Sequence, residues 1–138
     1  YHDLREVHGW VYYVGSQFHF EKYRSIFSVS YGSDPQNILP AQQQVVSDIE
    51  RLQSAPLSAH RLLRAKALLL GLIPIRQQSF GGVANLLLGY AQSDLPLDEN
   101  IREARAELAT TPTQVQQAMA KWVRPKGFVR IVTGPGPR

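Results

Sequence analysis

Over residues 10–17 the chain alternates, with Trp10, Tyr12, Val14 and Ser16 on one side and Val11, Tyr13, Gly15 and Gln17 on the other. That is the period of a strand, and it predicts one over residues 10–20. Residues 25–31 repeat the pattern, with Phe27, Val29 and Tyr31 on one face and mostly Ser on the other. Glu21, Lys22, Tyr23 and Arg24 make a polar turn between the two. The expectation is an antiparallel hairpin with one face on a core. Just upstream, Leu4 and Val7 lie three apart, a helical spacing, and Gly9 can take the positive φ that ends a helix.

Beyond the hairpin the period changes to that of helices. Asp34-Pro35 reads as an N-cap followed by Pro in the first turn. Ile38, Val45, Ile49 and Leu52 follow near helical spacing, with Val46 beside them. Pro40 must lie in a first turn or mark a kink, so this helix is expected to start later than Asp34 suggests. Ser58 caps a second helix over residues 59–73, with Leu62, Leu63, Leu69, Leu70 and Ile73 on an apolar face. His60, Arg61, Arg64 and Lys66 form its basic side, and Pro74 is expected to break it. A third helix begins near Ser79 and carries Phe80, Val83, Leu87 and Tyr90. Its Gly81-Gly82 pair costs about 1 kcal/mol per residue in a helix interior. Either the helix starts after the pair or another backbone comes close there.

Leu95-Pro96-Leu97-Asp98 turns into a short helix through Ile101, Ala104 and Leu108. Thr111-Pro112-Thr113-Gln114 has the form of a capping box, opening a helix whose predicted buried stripe is Val115, Met119 and Trp122. After a turn at residues 124–127, residues 128–133 read as a final strand of central type. The order of helix end, two strands, several helices and a strand predicts an α+β, two-layer fold. A mainly antiparallel sheet is covered by helices on one face. The domain is expected to fill residues 1–134, with Gly134, Pro135, Gly136, Pro137 and Arg138 closing it as a tail or linker. The chain opens at Tyr1, without Met, in what already reads as helix, so an N-terminally truncated copy of a larger domain is expected.

Composition narrows the chemistry. The 138 residues are 43% hydrophobic, enough for a real core, and contain no Cys. Disulfides, thiol catalysis and Cys-ligated zinc are excluded. Apolar runs such as residues 67–70 are too short to cross a bilayer, so no transmembrane segment is expected. Net charge is +4, but fifteen basic residues are interspersed with eleven acidic ones. No basic run or aromatic–basic signature suggests nucleic acid. Binding of an anionic partner through Arg61 and Arg64 is a weaker idea.

The four His, at positions 2, 8, 19 and 60, include no helical pair at i, i+4 and no His-x-x-Glu-His, so this chain alone is expected to bind no metal. Glu99, Glu103 and Glu107, with Arg102 and Arg105 among them, read as a solvated salt-bridged face. There is no Gly-x-Ser-x-Gly, phosphate loop or dinucleotide fingerprint. What remains is the Gly9 turn, which brings Arg5, a fixed cation with a fork of donors, towards Tyr12, a phenol donor. Two donors converging on one spot suit a carbonyl or an oxyanion. Taken alone, the same residues read first as a solvated helix-end cation and a half-buried strand aromatic.

Leu4-Arg5-Glu6, Gly9, Tyr12 and Val14 stand at a spacing that resembles a segment of the pitrilysin/insulinase family of zinc metallopeptidases, the inverted zincins. Ser30-Tyr31-Gly32-Ser33-Asp34-Pro35, Ala65-Lys66-Ala67, Leu95-Pro96-Leu97-Asp98 and Thr111-Pro112 fit in the same order. Together the pieces resemble the C-terminal, non-zinc-binding half, across nearly the whole chain. The resemblance implies the inverzincin/LuxS-like metalloenzyme layer fold. It implies no cofactor in this chain and zinc on a partner, either the other half of the same protein or a second subunit. Arg5 and Tyr12 would then be supporting catalytic residues that hold a peptide backbone and stabilise the oxyanion. The alternative is a catalytically inactive scaffold or interaction domain of the same fold. Similar bacterial enzymes are often exported, which implies the periplasm, with the cytoplasm as alternative.

Overall fold

The computed structural model describes residues 1–20 and 22–134. The chain divides into two compact units. The first is Tyr1–Ala55 with the described chain from Gln117 onward, and the second is Pro56–Gln116.

In the first unit, His2–Val7 forms a single widened, π-type turn. The His8 N–H reaches the Asp3 carbonyl (3.2 Å) and the Trp10 N–H reaches that of Leu4 (3.0 Å). Gly9, at φ +64°, supplies the left-handed residue that this closure needs. The turn buries Leu4 and leaves Val7 exposed. β1 (Val11–Phe20) and β2 (Ser25–Ser33) then pair antiparallel. Pairing is regular from Phe20↔Ser25 to Tyr13↔Gly32, after which Val11 faces Ser33 and Tyr12 is the extra, unpaired residue. This bulge breaks the predicted alternation. Val11 is buried and packs with Leu4 and Ala41, while Trp10, Val14, Tyr31 and Val45 close around them.

Asp34 leads into a 3₁₀ turn, Pro35–Asn37, and α1 runs over Ile38–Ser54 with Pro40 in its first turn. Ala41 and Ile49 are its buried positions. Gln53 Nε2 donates to the carbonyls of Met119 (3.1 Å) and Val123 (2.6 Å), which fixes the end of α1 against the chain around residue 120.

In the second unit, α2 (Ala59–Arg76) starts on Ser58, whose Oγ accepts from the Arg61 N–H. Pro74 does not break it as expected. The proline lies in the last turn, where one lost N–H costs little continuity, and the helix runs on to Arg76. Lys66 departs from the expected basic side: its ammonium donates to the Leu108 carbonyl (2.7 Å), the kind of contact that satisfies an orphan carbonyl at a helix end. α3 (Phe80–Gln92) begins before the glycine pair, with Ser79 capping the Gly82 N–H. α4 spans Glu99–Ala109. α5 (Pro112–Trp122) opens with the reciprocal box of Thr111 and Gln114 and carries the chain from this unit into the first.

Two expectations need correction. Residues 128–133 form no strand. No neighbouring strand pairs with them among the described residues, and Val129 and Ile131 are exposed. Trp122 is also exposed, and the buried position after Val115 and Met119 is Val123, one full helical repeat on. Trp122 instead carries Lys121 Nζ over its ring at 4.7 Å.

Candidate functional site

The site is built on the His2–Val7 turn and on Gly9, which closes it. The widened turn and Gly9 set Arg5 beside the start of β1, where its Nη1 donates to the Val11 carbonyl at 2.8 Å. Val11 is anchored because its side chain is buried, so one end of the guanidinium is held by the core. An Arg presents five N–H donors in a rigid fork, and this bond engages the Nη1 end of it. Tyr12 is the bulged residue itself and is 63% exposed. Its hydroxyl donates to Asp34 Oδ1 at 2.6 Å. That bond, with some desolvation and the Asp34 charge, pushes the phenol above its ordinary range, while the Arg5 charge acts in the opposite sense.

Both residues singled out in the sequence therefore lie at one exposed corner, each already holding one hydrogen bond. Tyr13, the neighbouring phenol, packs its ring edge over Gly32 and takes no part. Asp34 is the residue that sequence reasoning missed. The Asp34-Pro35 pattern reads as a helix cap, yet the Asp34 side chain caps nothing. The signal was present in the hairpin: counting back from Phe20↔Ser25 puts Tyr12 beside the end of β2, one residue from Asp34.

The histidines are dispersed. His2 pairs with Glu6, His8 stacks on Trp10 at 4.0 Å, and His19 faces Ile26 across the hairpin. Among the described residues no group of three or more His, Cys, Asp or Glu is arranged to hold a metal ion. The donor set here does not fit zinc. No described helix is long and apolar enough to cross a membrane.

The second unit has a small polar hollow of about 60 Å³ lined by, among others, Arg76, Tyr90, Glu103 and Glu107. The acidic stripe is therefore only partly the solvated face expected. Arg102 does reach Glu99, at 4.0 Å. Glu103, however, is pushed above the usual carboxylate range by desolvation, then by Glu99 and Glu107. One Glu107 oxygen is buried without a partner. α3 and α4 bring these groups together, and spacing on α4 alone does not show it.

Comparison with known proteins bears on the family and the fold. A family model described as the peptidase M16 inactive domain matches residues 1–69. Among solved structures, the chain is similar to the crystal structure of a peptidase M16 inactive domain from Pseudomonas fluorescens, with a TM-score of 0.80 and 22% identity. The match covers 90% of this chain and 29% of that one, so the chain spans under a third of that protein's length. At this identity the likeness shows the fold. A comparison with curated proteins returns no match.

Proposed function

Because the chain belongs to the peptidase M16 inactive-domain family, we propose that it serves a zinc-dependent peptidase as the half that grips substrate and carries no metal. Arg5 and Tyr12 would hold the backbone of an extended peptide and stabilise the oxyanion formed when its carbonyl is attacked. Zinc and the attacking water would belong to a partner half or second subunit. The observation that carries this reading is the exposed corner where Arg5 and Tyr12 face solvent, both fixed by neighbours rather than hanging free. A guanidinium supplies permanent positive charge and a phenol supplies a neutral donor, which together suit a developing negative oxygen. The guanidinium is anchored through Val11, so little reorganisation is needed when charge develops.

The test is turnover by the complete peptidase assembly carrying Arg5→Ala or Tyr12→Phe. Loss of an oxyanion donor lowers kcat by roughly 10²–10³. Turnover unchanged by both substitutions would show the role to be wrong.

A second reading is a catalytically inactive scaffold or interaction domain of the same fold, its motive being that this chain's sequence carries no His-x-x-Glu-His. The coding sequence upstream and in the neighbouring gene separates the two. A His-x-x-Glu-His in either supports the peptidase, and its absence from both supports the scaffold.

A further inference from the structure

The corner contains a third residue whose chemistry constrains the other two. A phenol has a single proton to donate, and in this structure Tyr12 gives it to Asp34 Oδ1 at 2.6 Å. Asp34 is committed in turn. It sits at the N-cap of the turn Pro35–Asn37, a position whose side chain ordinarily accepts a backbone N–H, and it makes no such bond. The Asn37 N–H goes to the Asp34 backbone carbonyl instead, at 2.9 Å. The Asp34 carboxylate thus serves the phenol and not the helix. Tyr12 is also the bulged residue, without a partner across the hairpin. It is 63% exposed, so its ring can swing without displacing a packed core neighbour.

We infer that Asp34 is a positioning residue that holds Tyr12 at rest and withholds its proton, so that Tyr12 donates to a peptide oxygen only after the bond to Asp34 opens. This rests on the reading of Tyr12 as an oxyanion donor. No covalent bond changes. The proton stays on the phenol oxygen, and O–H···O to Asp34 is exchanged for O–H···O to the substrate carbonyl as negative charge grows there. Arg5 needs no such release, because its fork has donors to spare after serving Val11. The corner therefore offers one standing donor and one that must be freed. Asp34 also places a second negative charge near the developing one, which makes its retreat from the phenol favourable to turnover.

Two measurements test this. In the first, the chain alone is labelled with ¹³Cζ-tyrosine and titrated by NMR, the Tyr12 signal being assigned by its loss in Tyr12→Phe. The Tyr12 phenol is expected to titrate above an ordinary tyrosine and to fall back in Asp34→Asn and Asp34→Ala. A titration indifferent to both would overturn the Asp34 contact, whatever the protein does. In the second, the peptidase assembly carrying Asp34→Asn is expected to show kcat raised roughly threefold to tenfold, the scale of one exposed hydrogen bond, with KM little changed. The same substitution in a Tyr12→Phe background should do nothing. A kcat that stays level or falls, or an effect that survives without the phenol, would overturn the inference. Should Tyr12→Phe itself leave turnover unchanged, the underlying reading and the gating both fail, while the NMR titration still reports the resting bond.

Discussion

Gly82 lies so close to Arg76 that a Cβ built on it would stand 2.5 Å from the Arg76 carbonyl oxygen. Gly81, one residue earlier, has nothing within 4 Å of the same position. The glycine pair that looks doubly unfavourable for a helix is therefore two different cases. Gly82→Ala should destabilise the chain by about 1–3 kcal/mol, because backbone must move to admit the methyl group. Gly81→Ala should stabilise it by up to about 1 kcal/mol through helix propensity and a less flexible unfolded chain. Urea denaturation of the two variants checks this, and equal effects of one sign would contradict it.

Gly9 is tested through its backbone. At φ +64° a side chain costs roughly 1–2 kcal/mol for most residues, while Asn tolerates this region better. Gly9→Ala should lower stability by about that amount and Gly9→Asn by clearly less. The turn also fixes Arg5 against Val11, so Gly9→Ala should loosen the guanidinium, seen as faster exchange of its Nε–H in NMR.

Much of this architecture was legible because local signals agreed with one another. Thr111 and Gln114 read as a reciprocal cap and form one. Ser58 and Ser79 start the helices they were read to start. The failures were places where a distant neighbour decides. Residues 128–133 have a strand's composition, but a strand exists only against a partner, and sequence pattern does not reveal whether one lies alongside. Trp122 is large and apolar, yet Val123, four residues on from Met119, holds the interior position. The candidate site was half legible. Arg5, Gly9 and Tyr12 are neighbours in sequence, whereas Asp34 reaches Tyr12 only through the hairpin register. The bulge that frees Tyr12 from the ladder leaves no compositional trace.

Gln53 offers a sharper stability test than any apolar residue of α1. Its amide donates to two carbonyls from one nitrogen. The Met119 carbonyl also accepts the Val123 N–H at 3.1 Å, whereas the Val123 carbonyl lies past the end of α5, where carbonyls lack intrahelical partners. Gln53→Ala should cost about 1–3 kcal/mol, since the carbonyl acceptors lose a shared donor in a partly buried place. Gln53→Glu should cost at least as much at neutral pH, because a carboxylate has no donor to give. Thermal melts of both variants at equal ionic strength make the comparison.

Stability should fall at both ends of the pH scale for separate reasons. Burial holds the Tyr31 phenol above its ordinary value, with Arg130 partly opposing, and its hydroxyl donates to the Ile38 carbonyl at 3.1 Å. A phenol with a raised folded value binds its proton more tightly in the native state. Its contribution is complete below the unfolded value near 10 and is lost as pH rises through the folded one. Tyr31→Phe should flatten this alkaline loss. Asp3 behaves in the opposite sense: a hydrogen bond from Arg51, 2.9 Å away, holds its carboxyl low. Its contribution is present above the unfolded carboxylate range and disappears as pH falls through the lowered folded value. The pair is largely exposed, so Arg51→Ala should cost less than about 1 kcal/mol, and less still in high salt. Chemical denaturation at pH 3, 7 and 10.5 separates the two effects.

Arg5 has a structural task as well as its proposed chemical one, and the two can be measured apart. Its Nη1 bond to the Val11 carbonyl should contribute about 0.5–1.5 kcal/mol, lost in Arg5→Ala and readable in denaturation of the chain alone. If Arg5 also stabilises an oxyanion, the same substitution should lower kcat in the peptidase assembly by roughly 10²–10³, far beyond what so small a loss of stability can produce. Arg5→Lys discriminates further. An ammonium keeps the charge but is a point donor without the fork, so it cannot hold Val11 and face a substrate in the same geometry. It should retain stability close to that of the parent while recovering only part of the turnover. A lysine variant with full turnover would mean that charge alone matters at this corner. Parent-level turnover in the alanine variant would leave Arg5 with its hold on Val11 as its whole function.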